Sequence, residues 1–593
     1  MPRTAGGAHL AGTSMTPERA IVGPRTALLI MLLLAILHTW PLATAPAGLS
    51  LHQNADAEMN AWALGWIARA VVHDPVHLFD GNIFAPEPRT LAYIDPTIVP
   101  ALVVAPVSWL GGSPVLAYNL SLIAGLTLTA WAGWLAARHW SGSASAALVG
   151  GALVAFNAHL LTRLPHIVAA HLWGVPLALL AGRLVLDDPR RRQTIGLGLV
   201  VAATAATSPY SLALVGLVVC LLLAAGAVLR RWRAVAALGI ASAAGLTLAL
   251  PVLWPYLQLA ATGVDRPISS VAQFSATAGG YLTSVSHVHA GWSAVFFRDD
   301  VNVLFAGVTA LVLAGIGIVA ASDSRCRHSR SRCSRGPWFD SILLVLLGLT
   351  GVWLSLGPAT ALYRALYEWV PPLRGLRAAA RFGYLYLVAV AIAAAIGTAV
   401  LERRARSRSG RGVLAGVLLA LVTIEAWSGP IETRTFTRVP PIYTHLPAAP
   451  VPVLLVEVPF YPPEAFWGNT EYMLNSTAHW RPLMNGYGGF IPDSYRRRAA
   501  SFWFFPEDWA IDAILDEGAT HLMVHLEKFT PAEADAIERA MRRRVEFVLI
   551  ASDTRGHRLY RASHYASLAA SRIASTMLPG RATPRRAMSN AVP

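Results

Sequence analysis

The feature that most constrains this chain is an uncharged apolar run, residues 27 to about 47, that leads directly into a polar, acidic segment at 51–95. Such a run is long enough to cross the hydrocarbon core of a bilayer as a helix. Similar runs recur over most of the chain, which predicts a polytopic α-helical membrane protein with about 11–12 spans. The predicted spans are 26–47, 115–137, 144–161, 167–186, 193–207, 211–229, 235–257, 302–321, 340–357, 382–401 and 413–429.

The composition agrees with a membrane protein. Hydrophobic residues make up 55% of the chain, charged residues 14%, and the mean hydropathy is +0.48, whereas a soluble domain carries about 25% charged residues. The net charge of +15 comes almost entirely from arginine, since Lys528 is the single lysine. Much of that arginine lies in short clusters between apolar runs, where it acts as a topology signal. Nucleic acid is therefore not predicted as a partner.

Those arginine clusters orient the spans, because positively charged loops stay on the cytoplasmic side. With residues 1–25 as a basic cytoplasmic N-terminus, one orientation places all the clusters inside. They are 190–192, 230–233, 325–335 and 403–411. The loops 48–96, 259–301 and 358–381, and everything after about residue 429, then share the extracytoplasmic face, together with the short turns at 163–166 and 208–210. Function is expected on that face.

The chain changes character after the transmembrane body at 26–429. Residues 451–459 and 520–525 are typical of buried strands, 531–544 of a helix, and 546–550 with 557–560 of a closing strand pair. This pattern predicts a small extracytoplasmic α/β domain at 430–562. The Ala/Ser/Arg-rich tail at 563–593 is predicted to be disordered.

Two acids in the first outer loop are the first candidates for chemistry. In an extended loop Asp56 and Glu58 point the same way and converge, whereas on a helix they diverge. A converged pair could bind a divalent cation or provide a general base. The alternative is structural, with the acids in the cap and first turn of an interfacial helix over 56–72.

A cationic group on the outer face is the second candidate. Arg374, Arg377 and Arg381 run directly into an apolar span, against the positive-inside bias. The planar fork of arginine suits a lipid phosphate, although attraction to ordinary anionic phospholipid explains the cluster equally well. Further outer-face cations are Arg163, His166, Arg266 and Arg298.

Several motifs add a family resemblance. They are NADAE at 54–58, NIFAP at 82–86, LRGLRAAARFG at 373–383 and HWRPLMNGYGGF at 479–490. With this order of parts, the chain resembles a bacterial branch of the GT-C superfamily of membrane glycosyltransferases, from about residue 28 to 560. The resemblance implies an enzyme of the bacterial inner membrane that moves a sugar from a polyprenyl-phosphate donor to a periplasmic glycan, lipid or protein acceptor.

The resemblance also implies residue roles. Asp56 is the expected base or metal ligand, for Mg²⁺ or Mn²⁺, with Glu58 as its helper. Arg374, Arg377 and Arg381, with Arg266 and Arg298, would hold the donor phosphate. The residues expected near the substrate are Arg163, His166, Trp480, Arg481, Asn485 and Tyr487, although the 469–490 segment could equally dock the tail domain. The alternatives are a non-catalytic membrane protein of cell-envelope glycan assembly and a transporter or flippase, which the scarcity of charge within the spans disfavours.

Overall fold

The structure, a computed structural model, describes residues 22–51, 54–263, 266–322, 337–436, 438–446 and 452–562. The predicted disordered tail and the basic loop at 325–335 lie outside these residues. The α-helices are α1 (Pro24–His38), α2 (Ala55–His73), α3 (Ile98–Trp109), α4 (Pro114–Ser141), α5 (Ala146–Ala155), α6 (Ala158–Leu161), α7 (Ile167–Ala170), α8 (Gly174–Asp187), α9 (Arg191–Ala205), α10 (Pro209–Val228), α11 (Trp232–Ala261), α12 (Ile268–Gln273), α13 (Ala290–Ser293), α14 (Val308–Ser322), α15 (Pro337–Ser355), α16 (Ala361–Trp369), α17 (Tyr384–Glu402), α18 (Arg408–Ala426), α19 (Thr470–Ser476), α20 (Asp493–Phe502), α21 (Asp508–Asp516) and α22 (Pro531–Arg543). The strands are β1 (Leu49–Ser50), β2 (Arg434–Thr435), β3 (Leu455–Val458), β4 (His521–His525), β5 (Phe547–Ser552) and β6 (His557–Ala562).

The helical body is that of a multi-pass membrane protein. Six helical segments of the described residues are long and apolar enough to cross a membrane, and five shorter apolar helices accompany them. The six are Pro114–Ser141, Ile167–Asp187, Pro209–Val228, Trp232–Ala261, Ala379–Glu402 and Arg408–Ala426. Every predicted span contains a described helix.

Local sequence sets where the long helices begin and how closely they pack. Helix α4 starts after Ser113, whose hydroxyl accepts from the Leu116 amide at 3.1 Å, and it has a proline at its first position. Helices α14 and α17 approach closely through small residues: a β-carbon on Gly397 would lie 1.9 Å from the Leu313 carbonyl oxygen. Small residues let apolar helices pack tightly where lipid offers no hydrophobic drive.

The carboxy-terminal region forms one four-stranded sheet in the order β3–β4–β6–β5. Strands β3 and β4 are parallel, and the other two pairings are antiparallel. All residues of β3 and β4 are buried, including Glu457, His521 and His525. The predicted strands and the helix at 531–544 are confirmed within a residue or two at most ends.

The first outer loop docks onto this sheet region. Main-chain hydrogen bonds join Phe84 to Asn485 at 3.0 Å and Leu483 to Asn82 at 2.7 Å. Strand β1 also pairs antiparallel with β2, just before the sheet region. The segments predicted to share the outer face therefore meet, and the loop at 48–96 is held between the membrane body and the carboxy-terminal region.

Candidate active site

The candidate site is built around Asp56 at the start of α2. The helix begins because the Asn54 side chain accepts from the Asp56 amide at 2.9 Å. Asp56 therefore lies in the first turn, where unpaired amides and the helix dipole favour negative charge. Its Oδ2 is 2.6 Å from Nδ1 of His166, and its Oδ1 accepts from the Tyr487 hydroxyl at 3.2 Å. Three distant parts of the chain thus converge on one carboxylate.

The turn at 163–166 brings His166 and Arg163 to this carboxylate. Tyr118 of α4 donates to the carbonyl oxygens of Leu164 and Pro165, at 3.2 and 3.0 Å. These bonds fix the turn against the helical body. They place Arg163 inside the protein, where it is 3% exposed and its Nε and Nη1 have no partner in the described part of the chain.

The polar break at 208–210, before and at the start of α10, forms another side of the site. Ser208 caps α10 by accepting from the Tyr210 amide at 3.2 Å, and its hydroxyl donates to Asp95 at 3.0 Å. The Tyr210 hydroxyl accepts from the amides of Arg377 and Ala378 at 2.8 and 3.0 Å. The break therefore positions the segment that carries Arg381.

Arg381 lies over the ring of Tyr210, with its guanidinium carbon 3.9 Å from the ring centre. This is cation–π geometry. Its buried Nε has no hydrogen-bond partner among the described residues. The charge of Arg381 acts on Asp56, Asp95, Arg163 and His166 alike. Two arginines with unused donors therefore flank the Asp56 site.

The environment shifts the pKa values of the Asp56 and Asp95 carboxyl groups in opposite directions. Burial raises the pKa of Asp56, but the hydrogen bond and charge of His166, with Tyr487 and Arg381, outweigh it and lower the pKa. Burial raises the pKa of Asp95, despite opposition from Arg381 and Ser208. One acid is thus held ionised while its neighbour is pushed toward the protonated form, a pattern typical of acid–base sites.

Burial disfavours the charged forms of the two basic side chains in the 163–166 turn. It lowers the pKa of His166 more than the hydrogen bond and charge of Asp56 raise it, and Nδ1 of the ring lies 2.6 Å from the carboxylate. Burial and the charge of Arg381 lower the pKa of Arg163. A buried cation whose donors have no partner is costly, and an anion bound beside Arg163 would relieve that cost.

The predicted convergence of Asp56 and Glu58 is wrong. Both lie in the first turn of α2, where residues two apart are separated by about 200° around the axis. Glu58 faces α19 and accepts from the Thr470 hydroxyl at 2.5 Å. It lines a separate cavity of about 420 Å³, together with Trp467, Glu471 and Lys528. Burial and the Glu471 charge raise the pKa of Glu58 to about 7, against the Thr470 hydrogen bond and the Lys528 charge.

The predicted arginine cluster does not act as a unit. Arg374 donates to the carbonyl oxygens of Tyr367 and Glu368 at 3.1 and 2.7 Å, so it holds its own turn. Arg377 lies over the ring of Phe274 at 4.3 Å and is exposed. The remaining two predicted phosphate ligands are also engaged. Arg266 donates to the Gly489 carbonyl, and Arg298 donates to Asp299, Gln273 and Ser275.

The 479–490 motif divides between the site and the domain contact. Tyr487 reaches Asp56, whereas Asn485 is fully buried and bonds to both main-chain groups of Glu457, at 2.9 Å each. Trp480 packs 3.2 Å from where a β-carbon of Gly65 would stand, on the far side of α2, and the Arg481 carbonyl accepts from Asn82. The contacts of Trp480, Arg481 and Asn485 thus join the carboxy-terminal region to the first outer loop, and their expected position near the substrate stays a prediction.

The predicted binding of Mg²⁺ or Mn²⁺ by Asp56 stays a prediction. Hard divalent cations prefer several oxygen ligands. Each oxygen of Asp56 accepts one hydrogen bond, and Asp56 belongs to no group of three possible metal ligands among the described residues. The one cluster of His, Cys, Asp or Glu with metal-ligand spacing in the described residues lies elsewhere, at His525, Glu527 and His557.

Four residues of the site were not predicted as site residues: Asp95, Tyr118, Ser208 and Tyr210. The sequence contained two signals for them. Asp95 ends the acidic outer loop, and the Ser-Pro-Tyr break at 208–210 interrupts otherwise apolar spans. Polar breaks of this kind commonly line sites in membrane proteins.

Comparisons with known proteins bear on the fold. Residues 26–426 match the sequence family described as "Domain of unknown function (DUF6311)". No curated protein matches the sequence. The matched range spans the positions of Asp56, Arg163, His166 and Arg381, and Tyr487 lies beyond it.

Solved structures also resemble the chain. The arabinofuranosyltransferase AftD from Mycobacteria aligns with a TM-score of 0.55 at 15% identity, over 92% of this chain and 42% of that one. The apo oligosaccharyltransferase of Archaeoglobus fulgidus gives 0.43 at 12% identity, over 86% and 70%. Apo ArnT from Cupriavidus metallidurans gives 0.36 at 14% identity, over 92% and 99%. The likeness to AftD confirms the predicted GT-C-like fold class.

Proposed function

The chain belongs to the DUF6311 family, and from that premise we propose that it is a membrane glycosyltransferase that uses a lipid-phosphate-linked sugar donor. The observation that carries the proposal is one arrangement. An ionised Asp56 is held by His166 and Tyr487 beside the buried Arg163 and the half-buried Arg381, and both arginines have buried donors without a partner among the described residues. A base and an anion site side by side are what transfer of a sugar from a phosphate requires.

The proposed reaction is a direct displacement at the anomeric carbon of the sugar. An acceptor hydroxyl oxygen bonds to the anomeric carbon of the sugar while the bond from that carbon to the donor phosphate breaks. Asp56 takes the hydroxyl proton, and the phosphate leaves still attached to its polyprenyl chain. Arg163 and Arg381 stabilise the charge that develops on the phosphate. Direct attack predicts inversion at the anomeric carbon.

The position of the site suits a donor that remains in the bilayer. Arg381 lies at the start of the apolar segment Ala379–Glu402, and Arg163 lies directly after the apolar helix Ala146–Leu161. A phosphate at this depth leaves its polyprenyl chain among the helices and lipid. We place this face in the periplasm of a bacterial inner membrane, because the arginine clusters then fall in the cytoplasm.

The cavity beside Glu58 is the proposed acceptor site. It is polar, and it is lined by the exposed Trp467 and by Tyr461, with Arg434 and Lys528 nearby. Aromatic faces next to charged donors suit a glycan, whose sugar rings have both apolar faces and hydroxyl groups. A glycan, lipid or protein acceptor that bears such a group would approach Asp56 around the first turn of α2.

The experiment that tests the function is a transfer assay with the full chain in nanodiscs. A panel of radiolabelled polyprenyl-phosphate sugars is offered with cell-envelope glycan and lipid fractions, and sugar transfer and polyprenyl-phosphate release are measured. The proposal expects both products from at least one donor. A reporter fused after residue 429 should appear outside the cytoplasm, and a cytoplasmic result would remove the periplasmic assignment.

A second function remains, that of a non-catalytic protein of cell-envelope glycan assembly. It would keep the same fold and bind the same lipid through Arg163 and Arg381 without transferring the sugar. The assay separates the two functions, because an assembly protein binds the donor and releases no polyprenyl phosphate.

A further inference from the structure

A second cluster of ligating side chains lies outside the candidate active site, at one end of the carboxy-terminal sheet. The ligating atoms of His525, Glu527 and His557 all lie within 4.8 Å of one another. Glu527 Oε1 is 3.1 Å from His525 Nδ1 and 3.3 Å from His557 Nε2. Ligands about 2.0–2.1 Å from a tetrahedral zinc ion stand about 3.3 Å apart, so the two separations that involve Glu527 match the ligands of one metal ion.

The sheet register creates the cluster. His525 ends β4 and His557 begins β6, and the two are direct partners in the antiparallel pairing. Partners in such a pair project from the same face of the sheet about 5 Å apart at Cβ. The chain then turns back immediately after β4, which brings the Glu527 carboxylate over both rings.

A second carboxylate contacts the other ring nitrogen of each histidine. His525 Nε2 is 2.7 Å from Glu457, and His557 Nδ1 is 2.6 Å from Asp553. These contacts orient both rings with their second nitrogen toward Glu527. The carboxylate–histidine pair is the arrangement that supports histidine ligands of zinc. Both histidines are buried, at 0% and 4% exposure, so the rings are fixed in place.

We propose that His525, Glu527 and His557 bind one divalent transition-metal ion, with Zn²⁺ as the preferred ion and water in the fourth position. Two imidazoles and one carboxylate suit zinc, whereas Mg²⁺ and Ca²⁺ prefer oxygen ligands throughout. The fourth position opens to solvent because Glu527 is exposed. The ion ties the turn after β4 to the start of β6, beside the cavity that contains Lys528.

The test uses the full chain purified in detergent without a polyhistidine tag. Protein stripped with a chelator is dialysed against limiting ZnCl₂, and bound zinc is measured by mass spectrometry. Co²⁺ is then used as a spectroscopic probe of tetrahedral coordination. The variants are Glu527→Gln, which changes an exposed ligand without altering its size, and Asp553→Asn, which changes a supporting carboxylate. His445→Gln is the control, because His445 is an exposed histidine of the same region.

The expected result is one zinc per chain for the wild type and for His445→Gln. Glu527→Gln should lose stoichiometric zinc, and Asp553→Asn should bind it about 10- to 100-fold more weakly. Two results would overturn the proposal. A wild-type chain without zinc would mean that Glu527 serves only as a hydrogen-bond acceptor for the two imidazoles. Undiminished zinc in Glu527→Gln would place the metal at other residues. The inference is independent of the proposed transfer reaction.

Discussion

The hydroxyl of Tyr487 donates a hydrogen bond to Asp56 at 3.2 Å, across 431 residues of sequence. It joins the carboxy-terminal region to the first outer helix at the carboxylate on which the proposed chemistry depends. The bond also lowers the pKa of Asp56. The carboxy-terminal region is thus part of the site itself, and a chain truncated after the membrane body would lack a hydrogen-bond donor to the proposed base.

Tyr487→Phe tests this relationship through the pH dependence of transfer. Loss of the hydroxyl removes an interaction that favours the ionised carboxylate, so the pKa of Asp56 rises. The acidic limb of the kcat/KM profile should therefore move to higher pH. The control Tyr560→Phe, in β6, should leave the acidic limb at its original pH. If Tyr487→Phe lowers the rate equally at every pH without moving this limb, the assignment of Asp56 as the titrating base is contradicted.

Arg381→Gln should weaken donor binding while the fold persists. Glutamine keeps much of the length and loses the charge, and a charge-assisted bond of about 1.5–3 kcal/mol corresponds to roughly 10- to 100-fold in affinity. Binding of a short-chain polyprenyl phosphate is measured by microscale thermophoresis in nanodiscs. Arg374→Gln is the matched control, because Arg374 donates to main-chain carbonyls of its own turn. Equal losses in the two variants would point to general attraction for anionic lipid.

Substitution of Arg163 is expected to change protein stability and donor affinity in opposite directions. The residue is 3% exposed, and its Nε and Nη1 have no hydrogen-bond partner among the described residues. A neutral side chain at this position avoids the desolvation cost of a buried charge whose donors are not satisfied. Arg163→Gln should therefore raise the apparent Tm of the donor-free protein while reducing donor affinity at least about tenfold. A lower Tm with unchanged affinity would make Arg163 a structural residue.

The sequence predicted where the apolar helices lie, and it singled out Asp56 as a candidate, because apolar runs and an acidic loop are local signals. It did not predict which arginines meet Asp56. Arg374 and Arg381 are alike in sequence, and only the contact between Arg381 and Tyr210 distinguishes them. The convergence of Asp56 with Glu58 failed because α2 begins at Ala55, one residue before the first acid. A helix boundary shifted by two or three residues reverses which side chains share a face.

The cluster at His525 and His557 shows a second kind of feature that the sequence alone does not predict. The two residues lie 32 positions apart, and their partnership depends on the register of β4 with β6. No spacing rule within one segment reveals it. The capping box of α22, from Thr530 to Glu533, is by contrast readable from four consecutive residues.

Glu58 should make stability depend on pH between about 4.5 and 7. Its pKa in the folded protein is raised to about 7 from an ordinary value of 4.5. Between these values the unfolded chain is ionised while the folded protein keeps the proton, so the folded state binds more protons and its stability falls as pH rises. Glu58→Gln mimics the protonated form at every pH. The Tm difference, variant minus wild type, should increase from about pH 4.5 to about pH 7.5 in differential scanning fluorimetry. Glu87→Gln, at a half-buried position of the same loop, is the control; a constant difference would contradict the raised pKa.

Asp56→Asn is the prediction on which the enzymatic assignment depends. The N-cap of α2 is Asn54 rather than Asp56, so the substitution leaves the cap intact, and its cost is the helix-dipole term of about 0.3–1 kcal/mol together with weaker hydrogen bonds to His166 and Tyr487. Asparagine can still meet the Tyr487 hydroxyl, but it cannot take a proton. We therefore expect nearly unchanged apparent Tm and donor affinity, with turnover lowered by a factor of about 100 or more, as for removal of a general base. Asp74→Asn, at the exposed far end of the same helix, should keep full turnover. Normal sugar transfer in cells whose only copy carries Asp56→Asn would exclude Asp56 as the base and favour the assembly protein, since such a protein binds its lipid through Arg163 and Arg381 and needs no proton acceptor.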